Sequence, residues 1–225
     1  MPTPQPVVFT KMRTPWGIAQ AVEVLAPGIG LVHTAGHGGI KCDRTANAAI
    51  PALWRQPNGW YEEDCECAIP FHFLAKLLDL HGPAWLKASL SKYPALATLK
   101  NTFWREYETF FQTTLQPGES CTKDDHLFYV EHANDLIACS AFGDCFQAVP
   151  KGLVAVVAKP GGHMSNSRLD RWFLVSSEEY SARSRAFLID PTRHPEIPPL
   201  DPYGPPTPWP MPVNHPPQAL HHGSQ

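Results

Sequence analysis

This chain of 225 residues lacks any run of the roughly 18 apolar residues that crossing a bilayer requires, so no membrane insertion is expected. Nor does its first stretch, MPTPQPVVFTKMRTP, have the charged-then-apolar order of a secretory leader, which leaves the cytoplasm as the expected location. A basic excess is also missing. The formal net charge is −3 and the isoelectric point about 6.4, whereas nucleic-acid-binding domains usually carry a clear positive stripe, so a nucleic-acid partner is not expected. Several enzyme signatures are absent: there is no Gly-x-x-x-x-Gly-Lys loop, no Gly-x-Gly-x-x-Gly after a strand, no Gly-x-Ser-x-Gly and no His-Glu-x-x-His. The six cysteines, at 42, 65, 67, 121, 139 and 145, would permit three disulfides in an oxidising compartment, but without a leader they are expected to be reduced. Cys65-x-Cys67 does not have the spacing of a structural zinc pair and nothing forms a second one, so neither a metal nor another cofactor is expected. Cys139 and Cys145 sit among apolar residues and read as core thiols.

What the sequence does contain is enough apolar material for a packed interior, 43% hydrophobic and 11% aromatic. One domain over residues 1–195 is the natural reading. About a dozen of the 25 prolines fall between Pro191 and Pro217, so residues 196–225 read as a disordered tail, or else as a docking segment built around Tyr203 and Trp209. Two apolar runs, Ile18 to Leu25 and Ile29 to Thr34, flank Ala-Pro-Gly and predict a hairpin. Phe73, Leu74, Leu77 and Leu78 form a helical stripe that ends at Gly82-Pro83. Leu96, Leu99, Phe103, Tyr107, Phe110 and Phe111 keep helical spacing for more than four turns. The period then returns to two. LFYVEH and LIACSAF predict a second hairpin around AND, and GLVAVVAK has the continuous apolar character of a central strand. RWFLVSSEE predicts a strand running into a capping box of Ser176 and Glu179, followed by a short helix and a strand from Ala186 to Ile189. The plan is α+β, a mainly antiparallel sheet from N- and C-terminal strands with a helical middle segment.

The stretch LVHTAGHGGIK raises the question of chemistry. His33 and His37 are spaced as zinc ligands on a helix, but Gly36, Gly38 and Gly39 make a helix there improbable. A glycine pair after a strand can instead gather backbone amides into an anion-binding concavity with His37 at its rim. The competing reading is a glycine turn carrying a surface histidine. Some 25 residues on, WYEEDCEC crowds Glu62, Glu63 and Asp64 together with Glu66. Such a run is commonly the solvated lead into a helix, here one starting near Ile69. As chemistry, one of these carboxylates could pair with His37 as an acid/base couple or hold a divalent metal, although no complete nucleophile, base and orienter set is visible.

The motifs TPWGIAQ, GIGLVHTAGHGGI and YEEDCE, followed by VPKGLVAVVAKPGG and RWFLVSSEEYSARSRAFLIDPTRHPE, resemble a family of uncharacterised domains carried by bacterial plasmids, integrative elements and phages. The resemblance spans about residues 13–195 and assigns no catalytic residue. It implies an accessory protein of a mobile element, acting against rival elements or host defences. More distantly, the chain resembles plasmid fertility-inhibition proteins, which implies a protein partner such as the coupling ATPase of a conjugative plasmid. Two functional readings therefore stand. One is an interaction protein that inhibits conjugation, with Trp16, Trp54, Trp60, Gly38 and Gly39 as binding residues, since tryptophans often anchor interfaces; the same tryptophans could equally be ordinary core residues. The other is a small hydrolase or transferase using the loop from His37 to Gly39 and the acids Glu62, Glu63 and Asp64. An anti-defence protein is a third possibility.

Overall fold

The computed structural model describes residues 12–183 and 185–204. The chain divides into two compact units, Met1–His126 and Leu127–Gln225. It is α+β throughout, but strands from the two ends of the chain do not share a sheet: each unit has its own antiparallel four-stranded sheet.

The first unit opens with a two-residue pair, β1 (Arg13–Thr14) with β2 (Gly17–Ile18), and then the hairpin of β3 (Ala21–Ala26) and β4 (Ile29–His33). The hairpin forms as its turn residues predict, with Gly28 at a φ of 76°. β5 (Gly38–Cys42) pairs with β4, and β6 (Trp60–Glu62) pairs with β5, giving the order β3-β4-β5-β6. Between them α1 (Arg44–Ala48) is capped by Asp43, whose carboxylate accepts from the Ala46 amide at 2.8 Å. The register places Val22, Val32 and Gly39 in one row and Glu23, Leu31, Ile40 and Tyr61 on the opposite face. Ile40 and Tyr61 point into the main core with Leu25, Ile29 and Cys42.

That core is closed by helices α2 (Ala68–Phe73) and α3 (Ala75–His81), which divide the predicted stripe at Leu74 and end it at Gly82 as expected, then α4 (Ala84–Lys92), α5 (Ala95–Thr102) and α6 (Trp104–Phe111). The long aromatic stripe is two helices, not one. Phe103 leaves helical geometry at φ −111° and ψ 45°, closing α5 through its amide and opening α6 through its carbonyl. The break sets its ring edge-on to Trp54 at 6.1 Å, so core packing outweighs helix continuity.

LFYVE is helical, the end of α7 (Cys121–Glu131), with His132 in the turn after it, and not the first strand of a hairpin. Ser120 starts this helix by accepting from the Lys123 amide, and Lys123 ties it down by bonding the Glu108 carboxylate and the Leu115 carbonyl. The period of two there was misleading, because Leu127 and Val130 are both exposed.

In the second unit, β7 (Leu136–Gly143), β8 (Leu153–Pro160) and β9 (Arg171–Ser176) pair in sequence. β8 is central as predicted, with Val154, Val156 and Ala158 in one core cluster and Ala155 in another. The capping box is half made. Ser176 Oγ accepts from the Glu179 amide to start α8 (Ser177–Ser181), but the Glu179 carboxylate turns to Arg193 and His194. Residues 186–189 give only a single bridge, Leu188 to Ile137, against the outer edge of β7. The start of the proline-rich stretch is part of the fold: β10 (Glu196–Ile197) extends the sheet beside β9, and Leu200 is buried. The remainder of the predicted tail, 205–225, lies outside the described residues, Trp209 with it. No helix among the described residues is long and apolar enough to cross a membrane.

Candidate functional site

The loop joining β4 to β5 is Thr34 to His37, and it is held at both ends by Thr34. The Thr34 amide and hydroxyl both donate to the His37 carbonyl, at 2.9 and 2.5 Å, and the hydroxyl accepts from the His37 amide at 3.2 Å. This threonine turn fixes His37 at the mouth of β5 while leaving its side chain 55% exposed.

Gly38 and Gly39 do not form an anion-binding concavity. They lie inside the ladder, opposite His33 and Val32 on one side, with Gly39 opposite Glu62 on the other. Neither has a positive φ. Their reason for being glycine is close approach: a Cβ at Gly38 would fall 2.5 Å from Glu63 Oε2, and one at Gly39 would collide with the Trp16 ring and the Tyr61 carbonyl. Trp16 therefore lies over Gly39, edge-on to Trp60 with ring centroids 5.6 Å apart, and Lys41 Nζ sits 4.9 Å from the Trp60 centroid.

β6 ends in a tight acidic turn in which carboxylates act as hydrogen-bond acceptors for the backbone. Glu62 Oε2 accepts from the Asp64 amide at 2.9 Å and more weakly from Cys65, while Glu66 Oε2 accepts from the Glu62 amide at 3.1 Å. Glu66 Oε1 accepts from Gln56. This accounts for much of the acidic crowding: two of the acids organise the turn that leads into α2, whose own first turn contains none.

The turn brings two carboxylates to His37. Its Nδ1 lies 3.6 Å from Glu62 Oε1 and 3.6 Å from Glu63 Oε1. Together the three side chains offer one nitrogen and two oxygens within 4.8 Å of one another. Glu62 Oε1 is buried and has no hydrogen-bond partner among the described residues. Asp64 is exposed and stands outside this cluster, as does His33. No hydroxyl or thiol among the described residues bonds the His37 ring, so the cluster has acids and a base but no aligned nucleophile.

The three tryptophans separate. Trp16 and Trp60 are half-buried on the outer side of the sheet, whereas Trp54 is 3% exposed, packed against Phe73 in the core, and offers no ring face to a partner. On the same face the sheet keeps an apolar trough of about 420 Å³ lined by Met12, Val22, Val24 and Val32, with Val24 57% exposed, and Trp60 packs against its Val22 and Val32. Sequence reasoning missed this trough, as well as the clamp by Glu66. The threonine three places before His37 was a readable turn signal. Among the cysteines, all free, Cys42 is buried with its thiol pushed up to about 12 by desolvation. Cys145 is exposed and Cys139 only half-buried, so these two are not core thiols.

Residues 10–133 match a family described as a domain of unknown function, DUF7007. The chain belongs to the DUF7007 family. The match covers every residue of the cluster and of the tryptophan face, and it ends before β7, so it does not reach the C-terminal motifs of the wider resemblance. No curated protein and no solved structure matches the chain.

Proposed function

We propose that this DUF7007 protein is a mobile-element accessory factor that inhibits a competing element, acting as a fertility-inhibition protein that binds a component of the conjugation machinery such as its coupling ATPase. The observation that carries the binding reading is the outer face of the N-terminal sheet. Trp16 and Trp60 stand edge to face beside an apolar trough with Val24 and Ile18 exposed at 57% and 60%. Rigid aromatic anchors next to an apolar trough, flanked by Lys41, are what a protein interface uses. The origin on plasmids or phages rests on the motif resemblance.

The test is a conjugation-inhibition assay in donor cells, paired with capture of the coupling ATPase by the purified protein. Val24→Asp adds a charge at an exposed position and should leave the fold intact; it and Trp16→Ala are expected to lose both capture and inhibition, while His37→Ala keeps them. Folded Val24→Asp and Trp16→Ala proteins that inhibit like the wild type would refute the reading.

One observation favours a second reading. An imidazole nitrogen at equal distance from two carboxylate oxygens is an acid/base arrangement, and a small hydrolase or transferase could use it. In that case His37→Ala and Glu63→Gln are inactive although folded, and the protein inhibits at far below the stoichiometry of its target.

A further inference from the structure

The geometry points to a site for a first-row divalent cation made by His37 Nδ1 with one oxygen each from Glu62 and Glu63. It goes beyond the interaction reading and does not depend on it.

Two carboxylates are held against one imidazole nitrogen, each 3.6 Å away, too far for a hydrogen bond to either. Ligands at about 2.1 Å from a tetrahedral ion lie about 3.4 Å from one another, so both imidazole–carboxylate separations suit a shared cation, and all three ligand atoms lie within 4.8 Å of one another. Glu62 gives the second observation. Its Oε2 is occupied by the Asp64 and Cys65 amides, whereas its Oε1 is buried, faces His37 and has no hydrogen-bond partner among the described residues. The Glu62 side chain as a whole is 26% exposed, so the cost falls on this one sealed oxygen, and a cation at that point supplies the partner it lacks.

The backbone around the three residues is fixed independently of any ion. Thr34 pins the His37 main chain, the ladder sets Glu62 opposite Gly39, and the missing side chain at Gly38 makes room for Glu63 to fold back over the strand. Cys67 Sγ donates to the Glu63 carbonyl, and among the described residues no thiol belongs to the ligand group. One imidazole and two carboxylates suit hard or borderline divalent ions such as Mn²⁺ or Zn²⁺ and not soft ones such as Cu⁺. Because the His37 and Glu63 side chains are 55% and 41% exposed, the remaining coordination positions face solvent, the arrangement of an open site and not of a closed structural one.

The test is a titration of the full chain with MnCl₂, read by the loss of the free-ion electron paramagnetic resonance signal. Manganese is chosen because six cysteines would blur a zinc titration. The expected result is saturable uptake of one ion per chain, displaced by ZnCl₂. His37→Ala and Glu62→Gln should each weaken it by at least about tenfold, with Asp64→Asn unchanged. Circular dichroism checks the fold of each variant. If Glu62→Gln fails to fold, His37→Ala decides, since its side chain lies on an exposed loop. No saturable uptake up to about 1 mM, or unchanged uptake by His37→Ala combined with Glu63→Gln, would overturn the site.

Discussion

Gly39→Ala is the most direct probe of how this region is built. A methyl group at position 39 would meet two obstacles: the Trp16 ring, the far end of a side chain, and the Tyr61 carbonyl, which belongs to the paired strand β6. A methyl carbon needs about 3.5 Å from such neighbours. Trp16 can swing aside, but the carbonyl can retreat only if β5 and β6 separate. Overpacking of a well-filled site costs about 1–3 kcal/mol, and a collision with backbone belongs at the upper end, about 3 kcal/mol. For a unit of this size that corresponds to a fall in melting temperature of about 10 °C. Gly36→Ala is the control. Nothing lies within 4 Å of its added methyl and its φ is not positive, so it should be neutral or gain a few tenths of a kcal/mol from a stiffer unfolded chain. Thermal and urea unfolding followed by circular dichroism would measure both. Equal melting temperatures for Gly39→Ala and Gly36→Ala would refute the close approach of β5 and β6, and with it the account of how Glu62 is placed beside His37. Adding Trp16→Ala to Gly39→Ala should recover only part of the loss, because the carbonyl collision remains.

Tyr61 is fully buried, its hydroxyl donating to Asn47 Oδ1 at 2.6 Å and accepting from the Gln56 amide at 3.2 Å. Tyr61→Phe should cost about 2–3 kcal/mol in urea unfolding, because it strands two polar groups in the interior, and adding Asn47→Leu should cost less than the sum of the two changes. Cys42 predicts an alkaline effect. Its folded thiol is raised to about 12 from the ordinary 9.0, so its contribution is complete below pH 9 and is lost as the pH climbs from 9 toward 12. Cys42→Ala should flatten the decline of stability over that range, and an unchanged slope would show that the thiol is not desolvated.

The sequence was readable where local rules and tertiary packing agree. Pro27-Gly28 announces its hairpin, the apolar run from Leu153 announces a strand buried on both faces, and Ser176 caps its helix. It was misread where packing overrode period. Phe103 breaks an unbroken stripe to reach Trp54, and Leu127 to Val130 alternate like a strand although Ser120 and Lys123 commit them to a helix. At the candidate site the residue types were legible but their reasons were not. Gly38 and Gly39 looked like conformational glycines and are steric ones, which depends on Glu63 and Trp16, distant in sequence. The acids looked like a solvated lead into a helix, yet Glu62 and Glu66 bind backbone amides, which only the turn geometry reveals. Trp54 could not be told from Trp16 and Trp60 by composition, since all three sit among mixed neighbours and only the fold assigns one to the core.

The tryptophan face and the His37 cluster are physically adjacent. Trp60 and Glu62 are alternate residues of one strand and so share a face, about 7 Å apart along it. Lys41 and Gly39, their ladder partners, share that face on β5. The absence of a side chain at Gly39 admits Trp16, and the absence of one at Gly38 admits Glu63, so two neighbouring glycines open two neighbouring features. A partner seated on Trp16 and Trp60 would reach toward the acidic edge, and a cation bound there would change the charge that edge presents from net negative toward neutral. This is why single substitutions in the middle of the strands, Gly39 above all, cannot separate the interaction reading from the cation site, since they move both. Val24 and His37 can. Val24 lies on β3, separated from β6 by two strands, and its exposed side chain supplies no donor; His37 lies on the loop and supplies no apolar contact to the trough. Loss of inhibition with cation uptake intact in Val24→Asp, and the reverse in His37→Ala, is the pattern that two independent features must produce.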